Sequence, residues 1–331
     1  MNIAIIGAGL SGLLTARQLQ NQGHQVVVFE KSRGRGGRLC SKRLNWDDTP
    51  TSVDIGAQYF TGRDPRFVRE IEQWLEAGVI KAWDFCPHTF KQGNLSKSTD
   101  DTARYVGTPS MNSIAHYLSE DLNIRFQTRI ARIEKTDNGW HVFDDKAICY
   151  QPFDWLFVSA PARQAFELIN GHSHLAKSIP SDSLQPCWAL GVQLLETTDR
   201  DVQGIFSDDE VRWASKLSSR PDRNTIAEQW MLHFNPLWSG QQGKQIEDKL
   251  PNIGQRWLEK VFSTKLTVIE SVSHYWAYAS MSSDYQKPDS FWIDRDQHLS
   301  LMGDWTQSGR IEGAYLSAVN ACDQFSDRAS S

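Results

Sequence analysis

The chain opens with two apolar runs on either side of a stretch with helical spacing. Residues 2–7 (NIAIIG) are apolar up to a glycine, as in a fully buried parallel strand. Between residues 11 and 22 the apolar positions recur at helical spacing, and Gly23 ends the predicted helix. Residues 25–30 (QVVVFE) form the second apolar run. This order predicts a strand–helix–strand unit at the start of the chain.

The remaining sequence predicts a mixture of helices and strands. The polar stretch 89–104 is predicted to be a surface loop or hairpin, and the last five residues (DRASS) a frayed tail. Helical spacing predicts helices over residues 64–77, 111–122, 163–170 and 245–262, and strands are predicted near residues 124–133, 139–143, 154–161, 186–196, 226–234 and 266–277.

The distribution of strand types predicts two domains. Buried strands typical of a parallel sheet lie toward both ends of the chain, whereas those between them carry more aromatic residues and are typical of an antiparallel sheet. A length of 331 residues also fits two domains. We therefore predict a discontinuous domain made of residues 1–74, 100–170 and 293–331, with an inserted substrate domain made of residues 75–99 and 171–292.

Composition narrows the class of protein. A formal net charge of -5 argues against a nucleic-acid partner, and the absence of a long apolar run argues against a membrane span. The N-terminus has no basic segment of the kind that starts a signal peptide. The five scattered cysteines indicate reduced, buried thiols and a cytoplasmic location. The pair His172 and His174 has no acid or cysteine close to it in sequence, so no metal site is predicted.

A glycine motif stands at the junction between the first strand and the first helix. In GAGLSG, Gly7 permits a tight turn, Gly9 lets the backbone approach a pyrophosphate, and Gly12 lets the helix pack closely on the strand. The helix N-terminus then faces the negative charge. Glu30, at the end of the next strand, is placed to accept hydrogen bonds from ribose hydroxyls. This context predicts a dinucleotide site, but the motif alone does not distinguish NAD(P) from FAD.

A second glycine turn favours the longer cofactor. The segment EKSRGRGGRL (residues 30–39) carries arginines directly after the acidic residue, and a flavin dinucleotide would use such extra donors along its pyrophosphate. Arg38 is predicted to contact a phosphate or the flavin, because a guanidinium matches phosphate geometry. Near the C-terminus, LMGDWTQSGRIEGAYLSAVNA (residues 301–321) repeats the arrangement of a strand end facing a helix N-terminus, with the helix expected to begin just after Gly313. An NAD(P) dehydrogenase would not need this second site.

These segments together resemble the FAD-dependent oxidoreductases of the amine oxidase type, and within them the renalase-like branch. The shared segments, in family order, are GAGLSG, EKSRGRGGR, DIGAQYFTGRDPRFV (residues 54–68), YVGTPSMNSIAHYL (105–118), VSAPARQA (158–165) and GDWTQSGRIEGAYLSA (303–318). The resemblance implies an α/β fold with a Rossmann-type FAD-binding domain and an inserted domain built on a mixed or antiparallel sheet, as in p-hydroxybenzoate hydroxylase-like two-domain flavoproteins.

The resemblance also implies roles for particular residues. Asp304 would hydrogen-bond the ribityl hydroxyls, and the backbone of Gly313 and Ala314 would stabilise negative charge at the N1/O2 edge of the flavin. No cysteine lies near the GDW segment, so the FAD is expected to be non-covalent. The full set of expected cofactor-binding residues is Gly7, Gly9, Leu10, Ser11, Gly12, Glu30, Lys31, Arg38, Gly56, Ala57, Gln58, Ile130, Gly303, Asp304, Glu312, Gly313 and Ala314.

The implied reaction is hydride transfer from a bound donor to the flavin, with O2 as acceptor and H2O2 as product. Gly34 stands where typical amine oxidases carry an arginine, which favours the renalase-like branch over monoamine or polyamine oxidases. The resemblance to that branch implies the oxidation of dihydronicotinamide (misreduced NAD(P)H) isomers. However, Tyr275 and Ala277 stand where many bacterial relatives have arginine. If those arginines bind an anionic dinucleotide in the relatives, this chain lacks their contribution.

Candidates for the substrate pocket are Gln58, Tyr59, His233, His274 and Trp276, with ordinary packing as the alternative role for each. No catalytic residue is singled out. Other functions remain open: an amine oxidase for a small primary or secondary amine, an NAD(P)-dependent dehydrogenase, or a flavin-binding protein without turnover.

Overall fold

The computed structural model describes residues 1–331 except 47, 86, 224–226, 283, 286–291, 308 and 327–331. The helices of the described residues are α1 (Leu10–Asn21), α2 (Pro65–Glu76), α3 (Ser113–Leu118), α4 (Ala162–Ile169), α5 (Pro236–Gln242), α6 (Leu250–Phe262) and α7 (Arg310–Ser326). The strands are β1 (Asn2–Ile6), β2 (Gln25–Phe29), β3 (Ser41–Trp46), β4 (Thr49–Asp54), β5 (Ile80–Ala82), β6 (Pro87–Lys91), β7 (Asn94–Lys97), β8 (Tyr105–Gly107), β9 (Ile124–Arg125), β10 (Ile130–Thr136), β11 (Gly139–Asp144), β12 (Trp155–Val158), β13 (Leu184–Leu194), β14 (Gly204–Ser207), β15 (Val211–Lys216), β16 (Glu228–Phe234), β17 (Val268–Met281), β18 (Ile293–Asp294) and β19 (Leu299–Leu301).

A six-stranded sheet places the two ends of the chain side by side. Its strand order is β18-β19-β12-β1-β2-β9, and every neighbouring pair is parallel except β18 with β19. The central strands are covered on both faces, so their residues form continuous apolar runs; Ile3, Ala4 and Ile5 are fully buried. Helices α1 and α7 pack against each other beside this sheet. The arrangement is a Rossmann-type α/β layer structure.

A seven-stranded mixed sheet forms the second layer system. Its order is β17-β13-β16-β15-β14-β6-β7, and β14 with β6 is its parallel pair. Helix α6 covers one face, where Trp257 and Leu258 join a core with Leu190, Leu232 and Trp230 of the sheet. A mixed sheet attached to a parallel one agrees with the predicted fold class.

The strands of each sheet fall in different segments of the predicted domain division. Those of the six-stranded sheet lie within 1–74, 100–170 and 293–331, and those of the seven-stranded sheet lie within 75–99 and 171–292. The boundaries between the domains stay a prediction.

Most predicted elements are present, with shifted ends. The helix expected over residues 111–122 is shorter, because only Ser113–Leu118 is α-helical. The helix expected over 245–262 begins with a 3-10 segment, and its α-helical part starts at Leu250, with a proline in its first turn. The stretch 89–104 lies mainly in the β6–β7 hairpin and the residues after it. The sequence analysis missed the β3–β4 hairpin, β14, β15 and α5.

Three of the four described cysteines are buried or half-buried, as expected, but Cys149 is exposed and contradicts that expectation. Burial raises the pKa of Cys40 to about 11 and that of Cys187 to about 12. Cys86 and the DRASS tail lie outside the described residues. None of the helices in the described ranges has the length and apolarity needed to cross a bilayer.

Candidate functional site

A cleft of about 1530 Å³ runs between the two large sheets. This volume exceeds the roughly 300–1,000 Å³ of pockets for drug-sized ligands, so the cleft suits a long ligand. All five residues predicted for the substrate line it, and so do the predicted cofactor residues Gly7, Gly9, Leu10, Ser11, Glu30, Lys31, Arg38, Gly56, Ala57, Gln58, Ile130, Gly303, Asp304 and Ala314. Gly12, Glu312 and Gly313 do not line it.

The first glycine loop opens α1 toward the cleft. Gly7 has a positive φ of 108°, a value that favours glycine. A Cβ added at Gly12 would lie 2.0 Å from the Gly7 carbonyl oxygen, whereas one at Gly9 would meet no protein atom within 4 Å. Gly12 therefore serves helix–strand packing, and Gly9 leaves room in the cleft. No side chain caps the helix after Gly9, so its first N–H groups are available to an anion.

Glu30 is held in place by the backbone around it. The side chain is 7 % exposed; Oε2 accepts a hydrogen bond from Ala8 N at 2.9 Å, and Oε1 accepts one from Ser32 N at 2.8 Å. A carboxylate has more acceptor sites than these two bonds use. Glu30 can therefore still accept hydrogen bonds from hydroxyls in the cleft. The neighbouring Lys31 donates to Gln164 at 3.1 Å.

The second glycine turn rests on the first. Gly36 N donates to the Ala8 carbonyl at 2.8 Å, and Gly36 has a positive φ of 103°. Ala57 N donates to the Arg38 carbonyl at 2.8 Å, and a Cβ at Gly56 would lie 2.0 Å from that oxygen. The close approach at Gly56 requires a residue without a side chain, which explains the glycine of the DIGA segment.

Arg38 and Asp304 lie against each other in the cleft wall. The guanidinium forms two hydrogen bonds with the carboxylate, Nη2 to Oδ1 at 2.5 Å and Nη1 to Oδ2 at 2.9 Å, and Nη1 also donates to the Ala279 carbonyl at 3.1 Å. Asp304 is buried while Arg38 is part-exposed. Arg38 and Asp304, which were predicted separately as cofactor contacts, therefore form one bidentate ion pair.

Helix α7 begins earlier than predicted, at Arg310. Gly313 therefore lies within the first turn; Arg310, Ile311 and Ala314 of the same turn line the cleft, and Gly313 does not. Ser11 Oγ donates to the Ala314 carbonyl at 2.9 Å, so the N-terminal turns of α1 and α7 meet.

Glu312, predicted to contact the cofactor, has a different role. Its Oε1 accepts hydrogen bonds from Arg63 N at 2.6 Å and Asp64 N at 2.7 Å. This anchors the entry to α2 onto the last helix and leaves Glu312 out of the cleft. The predicted cofactor contact of Glu312 came from the resemblance of the GDWTQSGRIEGAYLSA segment.

A buried ionic network lies directly behind the cleft, and the sequence analysis missed most of it. Asp54 accepts hydrogen bonds from Arg220 at 2.8 Å and from Arg223, and both its side chain and that of Arg220 are fully buried. Ser41 Oγ and Met111 N bind the other carboxylate oxygen. Burial lowers the pKa of Arg220 to about 10, and the Asp54 carboxylate opposes that shift.

Gln58 belongs to the same network. Its Oε1 accepts from Arg220 at 2.6 Å and from Ser215 at 3.0 Å, and its Nε2 donates to the backbone oxygens of Asp54 and Gly56. The side chain amide is thus fully engaged by protein. Gln58 lines the cleft, but its contacts join the parallel-sheet side to the seven-stranded sheet.

Five ring side chains line the cleft and together form what we call the aromatic wall: Tyr59, Trp213, His233, His274 and Trp276. Tyr59 and Trp213 meet edge to face with ring centroids 5.4 Å apart, and His274 and Trp276 do so at 4.4 Å. Trp276 Nε1 donates to the Ile55 carbonyl at 2.9 Å, which fixes the indole. Tyr275 packs on the opposite face against Trp188. Alternation along β17 therefore places Trp276, and not Tyr275, at the cleft.

The two histidines of this wall are uncharged at neutral pH. Burial lowers the pKa of His233 to about 4, the Ile55 backbone opposes the shift, and Arg220 and Arg212 add to it. Burial also lowers the pKa of His274, with Lys42 acting in the same direction. The buried Nε2 of His233 has no hydrogen-bond partner among the described residues.

No three His, Cys, Asp or Glu side chains converge as a metal site within the described ranges. No acidic residue is close to His172 and His174 in the sequence. In the structure, however, His174 Nδ1 lies 3.0 Å from the Asp294 carboxylate.

Parts of the sequence match a known protein family and known proteins. Residues 5–73 match the family model of the NAD(P)-binding Rossmann-like domain. Lysine-specific histone demethylase 1 homolog 1 of Arabidopsis thaliana is 30% identical over 102 residues, which cover 30% of this chain and 12% of that protein. Flavin-containing monooxygenase FMO GS-OX3 of the same plant is 30% identical over 149 residues, covering 43% of this chain and 30% of that protein. The chain thus matches less than a third of the length of each.

A solved structure covers the whole chain. Cyclohexylamine oxidase from Brevibacterium oxydans IH-35A has a TM-score of 0.77 at 11% identity and covers 100% of this chain and 99% of that one. At this identity the likeness is one of fold. Together with the match to the Rossmann-like family model, it confirms the predicted α/β class with a Rossmann-type domain.

Proposed function

We propose that this protein is an FAD-dependent oxidase that oxidises dihydronicotinamide isomers to the aromatic nicotinamide. The observation that carries the proposal is one continuous cleft with a glycine loop and an acidic ribose-type acceptor on its parallel-sheet side and an aromatic wall on the other. The flavin-containing monooxygenase and the oxidase among the similar proteins support the choice of cofactor.

The residues of the cleft fit a flavin dinucleotide better than a shorter nucleotide. Gly9 leaves open space in front of an uncapped helix, as a pyrophosphate requires, and Glu30 retains acceptor capacity for ribose hydroxyls. Asp304, oriented by Arg38, would hold ribityl hydroxyls, and the first turn of α7 would face the pyrimidine edge. When bound, FAD would supply the electron acceptor for the substrate hydride and deliver the electrons to O2.

On the substrate side the chain would supply orientation. A dihydronicotinamide is a flat ring, and the cleft offers Tyr59, Trp213 and Trp276 around the space in which such a ring would lie. His233 and His274, being neutral, can offer hydrogen bonds without adding charge. No general base is assigned, because hydride donation from a dihydropyridine leaves an aromatic cation without a separate proton transfer.

The second candidate is oxidation of a small amine. The aromatic wall and the fold shared with cyclohexylamine oxidase favour it. A neutral amine pocket lined by aromatic rings would use the same residues.

The test follows the visible absorbance of the purified protein under anaerobic conditions. Reduced nicotinamide isomers and a panel of primary and secondary amines are added in separate experiments, and air is then admitted. Bleaching of the flavin band by the isomers, with recovery in air, is the expected result. Bleaching by an amine alone would overturn the substrate while leaving the cofactor, and a protein without a flavin band after incubation with FAD would overturn both.

A further inference from the structure

Arg212 is a cationic side chain on the side of the cleft formed by the seven-stranded sheet. Arg212 lies on β15, is exposed, and lines the cleft beside Trp213. Among the described residues its guanidinium forms no hydrogen bond or ion pair, in contrast to Arg38, Arg220 and Arg223, which all bind carboxylates. A guanidinium carries five donors that suit carboxylate or phosphate oxygens.

A β-bulge accounts for the position of Arg212. Val211 pairs with Phe234 and Trp213 pairs with His233, so two residues of β15 advance while β16 advances by one. Neighbouring residues of a regular strand point to opposite faces, but both Arg212 and Trp213 line the cleft. Bulges commonly redirect a side chain beside an active site. Here the extra residue is the arginine.

The charge distribution along the cleft is uneven. The acidic lining residues Glu30, Asp145, Glu167 and Asp304 all belong to the segments that build the parallel sheet, and Asp304 is paired with Arg38. Within the described part of 171–292, the lining residues include no carboxylate, and Arg212 is their one permanently charged side chain. A cationic ligand would meet no counter-ion on this wall, whereas an anionic ligand would meet Arg212.

We propose that Arg212 binds an anionic group of the substrate and makes the cleft select anionic over cationic substrates. This inference rests on the proposed function and deepens it: the substrate is a flat dihydropyridine that carries a phosphate or carboxylate. The anionic group of this substrate would lie beside the β15 bulge and outside the reacting ring. Arg212 acts in binding and takes no part in the transfer of the hydride.

The test compares two substrates that differ by one phosphate. Isomer mixtures of reduced nicotinamide mononucleotide and reduced nicotinamide riboside are assayed for turnover in air, by the rate of O2 consumption, with the wild-type protein, Arg212→Ala, Arg212→Lys and Arg256→Ala. Arg256 is an exposed arginine of α6 that does not line the cleft. Its alanine variant is the control, because it removes one positive charge, as Arg212→Ala does, but outside the cleft. Charge-assisted hydrogen bonds predict a KM about tenfold or more lower for the mononucleotide in the wild type.

In Arg212→Ala that preference is expected to disappear, with kcat for the riboside unchanged, and Arg212→Lys should keep part of it. Arg256→Ala should behave as the wild type. Higher ionic strength should weaken the wild-type preference, because the Debye length falls from about 10 Å at 0.1 M to about 3 Å at 1 M. Equal KM values for both substrates in the wild type, or a preference retained in Arg212→Ala, would overturn the role of Arg212 while the flavin bleaching still supports the proposed function. A flavin reduced only by amines would overturn both.

Discussion

The two sides of the cleft differ in which atoms form their surface, backbone atoms on one side and side-chain atoms on the other. On the side of β1 and α1, backbone atoms form much of the surface, because Gly7, Gly9 and Gly36 carry no side chains. On the side of the seven-stranded sheet, side chains form the surface, and their positions depend on strand register and on a bulge in β15. A backbone site suits a group shared by many ligands, such as a pyrophosphate, whereas a side-chain site can be adapted to one substrate.

The largest expected effect comes from breaking the contact between the two sides. Asp54→Asn leaves Arg220 and Arg223 buried without their carboxylate, and we expect the free energy of unfolding to fall by about 3–5 kcal/mol. Urea denaturation measures it. The matched control is Asp222→Asn, whose carboxylate pairs with Lys81 at 2.8 Å with both side chains about half exposed, and that change should cost about 0–1 kcal/mol. Similar losses of unfolding free energy in the two variants would show that the buried network around Asp54 does not stabilise the contact between the two sides of the cleft.

On the backbone side, Gly12→Ala should destabilise the fold itself. The new Cβ would lie 2.0 Å from the Gly7 carbonyl oxygen, so α1 must move away from β1. Overpacking of this kind costs about 1–3 kcal/mol. Thermal unfolding of the protein without added FAD measures the loss. A melting temperature equal to that of the wild type would show that the helix can shift without cost.

On the side-chain side, His233 should make stability depend on pH. Its pKa is about 4 in the folded protein against the ordinary histidine value of 6.5, so the unfolded chain binds the proton more tightly. Stability is therefore complete above pH 6.5 and is lost as the pH falls from there toward 4. At pH 5 the loss from this residue is about 2 kcal/mol.

The His233→Gln variant isolates this contribution from that of the rest of the protein. Urea denaturation of both proteins at pH 5 and pH 7.5 should show a smaller pH dependence in the variant. An identical dependence would mean that His233 becomes protonated in the folded protein near its ordinary pKa.

The smallest effect on stability is expected for Gly9→Ala, because no protein atom lies within 4 Å of the new Cβ. The free energy of unfolding without FAD should change by no more than about 0.5 kcal/mol. FAD affinity, measured by equilibrium dialysis, should fall, since the methyl group occupies the space proposed for the pyrophosphate. Unchanged affinity would move the ligand away from Gly9. Together with Gly12→Ala, this variant separates glycines that serve the fold from those that serve the ligand.

The same contrast explains what the sequence could predict. The glycine loop, Glu30 and the element order around them follow from residues close together in the chain, and Gly9 and Glu30 lie in the cleft as expected. The partners of Asp54 could not be found in this way, because Arg220 and Arg223 are 166 and 169 residues away. Arg212 was missed because its position depends on a bulge, which no local pattern revealed. The start of the last helix was predicted just after Gly313, whereas α7 starts three residues before Gly313.

The hydrogen bond from Ser11 to the Ala314 carbonyl joins residues 303 positions apart. During synthesis the ribosome makes α1 first and α7 near the end, and the chain is extended at about 5–20 residues per second. The glycine loop must therefore wait tens of seconds, on the order of the time needed for about 300 residues, before the helix that completes its surroundings emerges. A nascent chain of this protein holds only half of the proposed FAD site, so binding of FAD there would accompany the completion of the fold.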